Sequence, residues 1–144
     1  MLSFLVQTSI LRPQQFGFRQ GLSTSLALLQ LQDHILEQKS QKLLIFAIFL
    51  HLKKAFDTVD HEILLVKLNQ CGLRRTTNKF FESCLSKRQQ FVYANDIKSN
   101  TRYVAGGVLQ GSTFGLVLFL LHINVLASIT KFNTLLLADD TTLT

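Results

Sequence analysis

Two adjacent carboxylates, Asp139 and Asp140, interrupt an apolar and β-branched stretch, with residues 132–138 before them and 141–144 after. Like charges repel and a buried charge is costly, so few folds accept this pattern. The flanks predict two short strands closed by a tight turn, with both acids at its tip. Two uses of such a tip stay open on the dipeptide alone. A solvated β-turn needs no partner for its acids. A divalent cation would offset both repulsion and desolvation, and Mg²⁺ takes one or two carboxylates plus substrate phosphate oxygens. Two such ions can activate an attacking oxygen and stabilise a leaving one.

The remaining pattern mixes helices and strands. Residues 42–52 are rich in Leu, Ile and Phe and too short for a typical helix, which predicts a central, buried strand. Ser23 and Thr24 open a predicted helix to about Lys39, with Leu28, Leu31 and Ile35 on its apolar stripe. Asp60 is placed to N-cap a helix over 61–71, with Gly72 at the left-handed C′ position and Leu73 as its apolar partner. A further helix over 77–86 carries Phe80, Phe81, Cys84 and Leu85. Residues 90–94 and 101–104 alternate around Asn95-Asp96, a hairpin pattern. Gly106-Gly107 and Gly111 punctuate a loop before an apolar helix predicted over 112–130. The sum is an α+β fold with a central antiparallel sheet packed against helices.

No repeat or linker divides the 144 residues, so a single domain is expected. A hydrophobic share of 47% against 17% charged supports a buried core and excludes a disordered tail. Fifteen Lys and Arg against nine Asp and Glu leave a net charge of +6, which favours a polyanionic partner or an anionic surface. With only Cys71 and Cys84, expected as buried thiols in neighbouring helices, a disulfide scaffold and a CxxC zinc site are both excluded. The first residues lack the basic region and cleavage site of a secretory signal. Residues 114–129 carry no formal charge, but His122, Asn124 and Ser128 interrupt them. They read as a buried helix rather than a bilayer span, which needs roughly 20 apolar residues.

The neighbours of the two acids sharpen the picture. Residues 48–61 read Ile-Phe-Leu-His-Leu-Lys-Lys-Ala-Phe-Asp-Thr-Val-Asp-His, and residues 15–19 read Gln-Phe-Gly-Phe-Arg, followed by Ser23-Thr24. Residues 107–112 read Gly-Val-Leu-Gln-Gly-Ser, with Gly115 and residues 118–124 beyond, and residues 137–141 read Leu-Ala-Asp-Asp-Thr. These four blocks, in this order and spacing, resemble the reverse transcriptase domain of LINE-type (non-LTR) retrotransposons. The resemblance spans residues 5–144 and implies a right-hand palm with part of the fingers, running from the fingers-side block to the double-Asp hairpin, with the thumb absent. It implies RNA-directed DNA polymerase chemistry, nucleotidyl transfer on two Mg²⁺ ions, with RNA template, DNA primer and dNTP as partners. An intracellular setting, nuclear or cytoplasmic, without a membrane follows from the same resemblance.

Residue by residue, the resemblance makes Asp139 a metal ligand and Asp140 a supporting acid, aided by the backbone carbonyl of Leu52. Phe56 falls on the steric gate against a ribose 2′-OH. Gln110, Gly111 and Ser112 fall on the loop that touches nucleotide and template, and Arg19 on a possible phosphate contact. The departures are equally specific. His51 stands where the family has its first catalytic Asp. Imidazole offers one neutral nitrogen and suits Zn²⁺ or Cu²⁺ better than Mg²⁺, with Mn²⁺ more tolerant of it. Asp57 matches another position of the block and does not replace the missing acid. Leu109 and Leu116 stand for Pro, Val125 for Asp, Leu137 for an aromatic and Leu22 for a basic residue. The expectation is therefore a decayed or truncated polymerase segment whose activity is lost. The alternatives are a non-catalytic nucleic-acid-binding or interaction module, or a remnant without function. His51 with Asp139 and Asp140 could also hold a metal as one imidazole and two acids, against a packed, neutral His51. Self-association through exposed palm helices is expected. His34, His61 and His122 read as structural or surface residues, and Arg74-Arg75 and Lys87-Arg88 as solvated pairs within reach of a phosphate backbone.

Overall fold

The computed structural model describes Leu5 and residues 9–144. In chain order its elements are α1 (Thr24–Ser40), β1 (Ile48–His51), α2 (His61–Gln70), α3 (Thr76–Leu85), β2 (Gln89–Gln90), β3 (Tyr93–Ala94), β4 (Ile97–Lys98) and β5 (Arg102–Tyr103). Then follow α4 (Thr113–Ile123), α5 (Leu126–Ile129), β6 (Thr134–Leu137) and β7 (Asp140–Leu143). They form two compact units. One combines residues up to Lys53 with Ile123–Thr144, and the other is the unbroken stretch Lys54–His122.

The first unit is a three-stranded antiparallel sheet in the order β1-β7-β6. Its register pairs His51 with Asp140 and Leu137 with Asp140, one on each side of β7. On the outer side of β6, Gln15 makes a parallel bridge to Leu136. There Phe16 N–H donates to the Leu136 carbonyl at 2.8 Å, and Leu136 N–H to that of Gln14 at 2.9 Å. The helix α1 starts where Ser23 Oγ accepts the Leu26 N–H. It buries Ala27 against Phe16 and Leu135, with Leu22, Leu31 and Leu137 around them.

Two expectations for this unit are corrected. The stripe of α1 runs through Ala27, Leu31 and Ile35, at fourfold spacing, whereas Leu28 lies about 100° further round and is exposed. The apolar run expected as a central, buried strand pairs over four residues only and forms an edge, with all four exposed. The β6–β7 hairpin supplies β7 with one neighbour, and β1 supplies the other. Continuous apolarity signals burial on both faces, but it does not tell which side of a strand has a partner.

In the second unit Asp60 Oδ1 accepts the Ile63 N–H at 2.9 Å and opens α2. Gly72, at φ 85°, closes that helix, and Leu73 N–H returns to the Leu68 carbonyl. Leu64 and Leu68 of α2 and Phe81 and Leu85 of α3 are buried, and the two helices pack together. The hairpin is present, but its arms differ from expectation. Tyr93–Ala94 pair with Ile97–Lys98 next to the turn, and Gln89–Gln90 pair with Arg102–Tyr103 at the base. Asn95 and Asp96 take φ of 49° and 60°, which suits the right-handed twist of a two-residue hairpin turn. Cys71 and Cys84 are free thiols, half-buried rather than buried.

The helix expected over 112–130 is two helices, α4 and α5, separated at Asn124-Val125. The Asn124 side chain explains the break. Its Nδ2 donates to the Ile10 carbonyl at 2.7 Å and its Oδ1 accepts the Arg12 N–H at 2.9 Å, so it serves a distant strand of main chain. Residues 117–121 of α4 are buried. Among the described residues, no helix is long and apolar enough to cross a membrane.

Candidate active site

The β1–β7 pairing brings together residues 89 positions apart. His51 Nδ1 lies 2.8 Å from Asp140 Oδ1 and 3.7 Å from Asp139 Oδ2. An ionised carboxylate only accepts, so Nδ1 carries the proton of that bond. The bond to Asp140 and the Asp140 charge raise the His51 pKa above its ordinary value, and Asp139 adds to this more weakly. The acids do not share the tip, as the sequence suggested. Asp139 sits in the two-residue turn with Ala138, while Asp140 is the first rung of β7. Leu52 N–H donates to the Asp139 carbonyl at 3.3 Å, which extends the ladder one step beyond His51.

A buried amide supports this turn. Gln15 is fully buried, and its Oε1 accepts from Gly17 N–H at 2.8 Å and from Ala138 N–H at 3.3 Å. A Cβ at position 17 would stand 2.3 Å from Ala138 N, so only glycine lets the two backbones meet. Ala138 itself holds a φ of 58°, an uncommon conformation for a residue with a Cβ. Arg19, expected at a phosphate, uses Nη1 to donate to the carbonyls of Arg12 and Gln15. Sequence reasoning missed Gln15. Its signal was its place directly before Phe-Gly, the second of two adjacent amides.

Phe56, Gln110, Gly111 and Ser112 belong to the second unit. Gln110 Nε2 donates to Asp57 Oδ1 at 2.8 Å, which fixes its carboxamide and gives Asp57 a use that sequence reasoning left blank. Gly107, at φ 84°, lies so close to the 56–57 backbone that a Cβ would come within 2.9 Å of Asp57 Cα. Val108 N–H donates to the Phe56 carbonyl, while His61 Nε2 at 2.7 Å and Arg88 Nη1 at 3.1 Å both donate to that of Gly107. Thus His61 is structural, as expected. The Phe56 ring stacks on Phe119 with centroids 4.1 Å apart. Gly111 has φ 78°, and Ser112 Oγ accepts the Gly115 N–H that opens α4. Asp57, Arg88, Gln90 and Gln110 line a polar cleft of about 580 Å³.

The donor set does not fit a pair of Mg²⁺ ions. Among the described residues no three His, Cys, Asp or Glu side chains are grouped to hold a metal. At the hairpin the two acids are joined by an imidazole nitrogen rather than a further hard oxygen, and that nitrogen is already hydrogen-bonded to Asp140.

The reverse transcriptase (RNA-dependent DNA polymerase) family matches residues 1–144. The chain belongs to this family. It is similar to the probable RNA-directed DNA polymerase from transposon BS of Drosophila melanogaster, at 33% identity over 115 residues and 80% of the chain. A second relative is the probable RNA-directed DNA polymerase from transposon X-element of the same organism, at 32% identity over 122 residues and 85% of the chain. These matches bear out the LINE-type reverse transcriptase resemblance. The domain covers 13% of the length of each relative.

Proposed function

We propose that this reverse transcriptase domain supplies the palm hairpin and part of the fingers of a right-handed, RNA-directed DNA polymerase. Its substrates on this reading are an RNA template, a DNA primer and dNTPs, with Mg²⁺ as the ion of the intact family site. The observation that carries the reading is the pairing of His51 with Asp140 across β1 and β7, which brings two of the four sequence blocks side by side. On this reading Asp139 and Asp140, in the first unit, face the reacting phosphates, and within the second unit Asp57 fixes the Gln110 carboxamide.

His51 removes the chemistry from that frame. A carboxylate would add negative charge to attract a cation, whereas an imidazole proton satisfies Asp140 instead. The same bond supports a second reading, a polynucleotide-binding segment without catalysis. Primer extension separates the two when the segment is grafted into an intact relative, as it stands and with His51→Asp. The expected result is Mg²⁺-dependent synthesis from the His51→Asp graft and at least a 10²–10³-fold lower rate from the other, on the order of what losing one transition-state contact costs. Mn²⁺ narrows the gap, because it accepts nitrogen ligands better. Equal rates of the two grafts in Mg²⁺ overturn the assignment of position 51.

A further inference from the structure

The hairpin over residues 88–104 projects aromatic rings that its own unit does not cover. Phe91 is 50% exposed, Tyr93 64% and Tyr103 74%. Cations are interleaved with them: residues 87–104 hold Lys87, Arg88, Lys98 and Arg102 against one carboxylate, Asp96. The Tyr93 hydroxyl donates to that carboxylate at 3.3 Å. Tyr93 and Lys98 are cross-strand partners, and the Lys98 ammonium lies 4.1 Å over the Phe91 ring. Between the two short ladders, Gln90, Phe91, Val92, Ser99, Asn100 and Arg102 bound a cleft of about 550 Å³. That volume is in the range that takes a small molecule or a nucleotide.

We propose that this hairpin is a stacking platform for single-stranded nucleic acid. The inference rests on the polynucleotide reading above and adds to it a place and a form of contact. Every base has a π-face, so exposed aromatics bind single strands with little sequence preference, while neighbouring cations track the phosphates. A duplex buries those base faces in its own stack and offers mainly phosphates and groove edges. A dry protein interface fits the surface less well. Covering Phe91 with an apolar protein surface would bury the Lys98 ammonium on top of it without a partner, which is costly. A strand of nucleic acid brings its own phosphate to that ammonium.

The chain contains no tryptophan, so Tyr93→Trp gives a reporter with no background. Binding to the whole chain is followed in parallel by anisotropy of a labelled oligouridylate, at low and moderate salt, with a duplex of equal length as comparison. Stacking predicts quenching of the Trp emission by the single strand, far less by the duplex, and reversal by salt. Tyr93→Ala is expected to weaken single-strand binding on the order of tenfold and Tyr93→Phe less than about twofold, since only the first removes the ring. Anisotropic binding with a silent Trp, or equal quenching by the duplex, overturns the hairpin proposal and leaves the polymerase reading intact. Absence of binding by anisotropy removes the polynucleotide reading and the hairpin with it. A Trp emission that shifts with protein concentration alone identifies a protein interface and overturns the proposal.

Discussion

The strands β6 and β1 flank the same central strand with similar apolar content, yet their environments are opposite. Leu136 of β6 is fully buried, whereas Phe49 of β1 is 71% exposed. The difference lies in what each meets on its far side. The outer edge of β6 is bonded to residues 14–16, and α1 packs against this strand. On its far side β1 has no strand among the described residues, and the apolar residues leading into it, Leu44 and Phe46, are also exposed. Apolarity therefore states a demand for burial, and topology decides whether it is met. An unprotected apolar edge is a template for pairing with another chain. Here Lys42 on one side and Lys53-Lys54 on the other bracket the run, the placement expected of charges that limit such pairing.

The largest effect is expected in β6. Leu136→Ala should cost about 2–5 kcal/mol in chemical denaturation, since it leaves a cavity in a closed core, while Phe49→Ala should cost less than about 1 kcal/mol. Equal costs would break the contrast between the strands. Next comes the brace beside β6. Gly17→Ala drives a Cβ into the Ala138 backbone and should cost about 1–3 kcal/mol. Gln15→Ala strips one acceptor from two N–H groups and should cost a similar amount, about 1–3 kcal/mol. Neither should matter if the turn stands without the 14–17 segment.

On the β1 side the expected change is in association, not stability. Phe49→Thr should move light scattering toward the monomer while leaving the denaturation midpoint nearly unchanged, and a scattering profile identical to the parent would argue that the edge is covered in solution. The edge strand adds to the helices as a surface of self-association: residues 117–121 of α4 are buried, while Phe114 and Ile129 stay exposed.

The smallest effect is one of pH, and two histidines give it opposite signs. The raised pKa of His51 favours the folded state below the ordinary value of 6.5, and that contribution is lost as pH rises through the raised folded value. His122 is shifted down, first by burial and then by the Lys67 charge. Its contribution is present above 6.5 and is lost as pH falls toward the lowered folded value. Denaturation midpoints against pH should therefore tilt one way in His51→Asn and the other in His122→Gln. Parallel profiles would show that one of the two environments is wrongly assigned.

What the sequence revealed follows this divide between local and distant causes. The caps at Ser23 and Asp60, the stop at Gly72 and the turn at Asn95-Asp96 were legible because each is set within a few residues. The hairpin carrying the acids was legible for the same reason, and the blocks beside it pointed to the family and to His51 as its neighbour. The edge position of β1 was not legible, since it depends on pairing 89 positions away. Nor was the break at Asn124, whose amide serves residues 10 and 12. The bond from Gln110 to Asp57 spans 53 positions between two loops, and no periodicity marks it.

The split of the first unit into two stretches of chain has a consequence for the order of assembly. Residues 54–122 are continuous, so that unit can form from segments already near one another. The sheet cannot, because β1 waits for β7 and Gln15 waits for Leu136. Closing such long loops carries an entropic cost before any contact rewards it. During synthesis the ribosome completes the continuous unit first, while residues 43–50 are already outside and still unpaired. The bond between His51 and Asp140 cannot form before β7 is made, and until then that exposed run has only the flanking lysines to oppose pairing with a neighbouring chain.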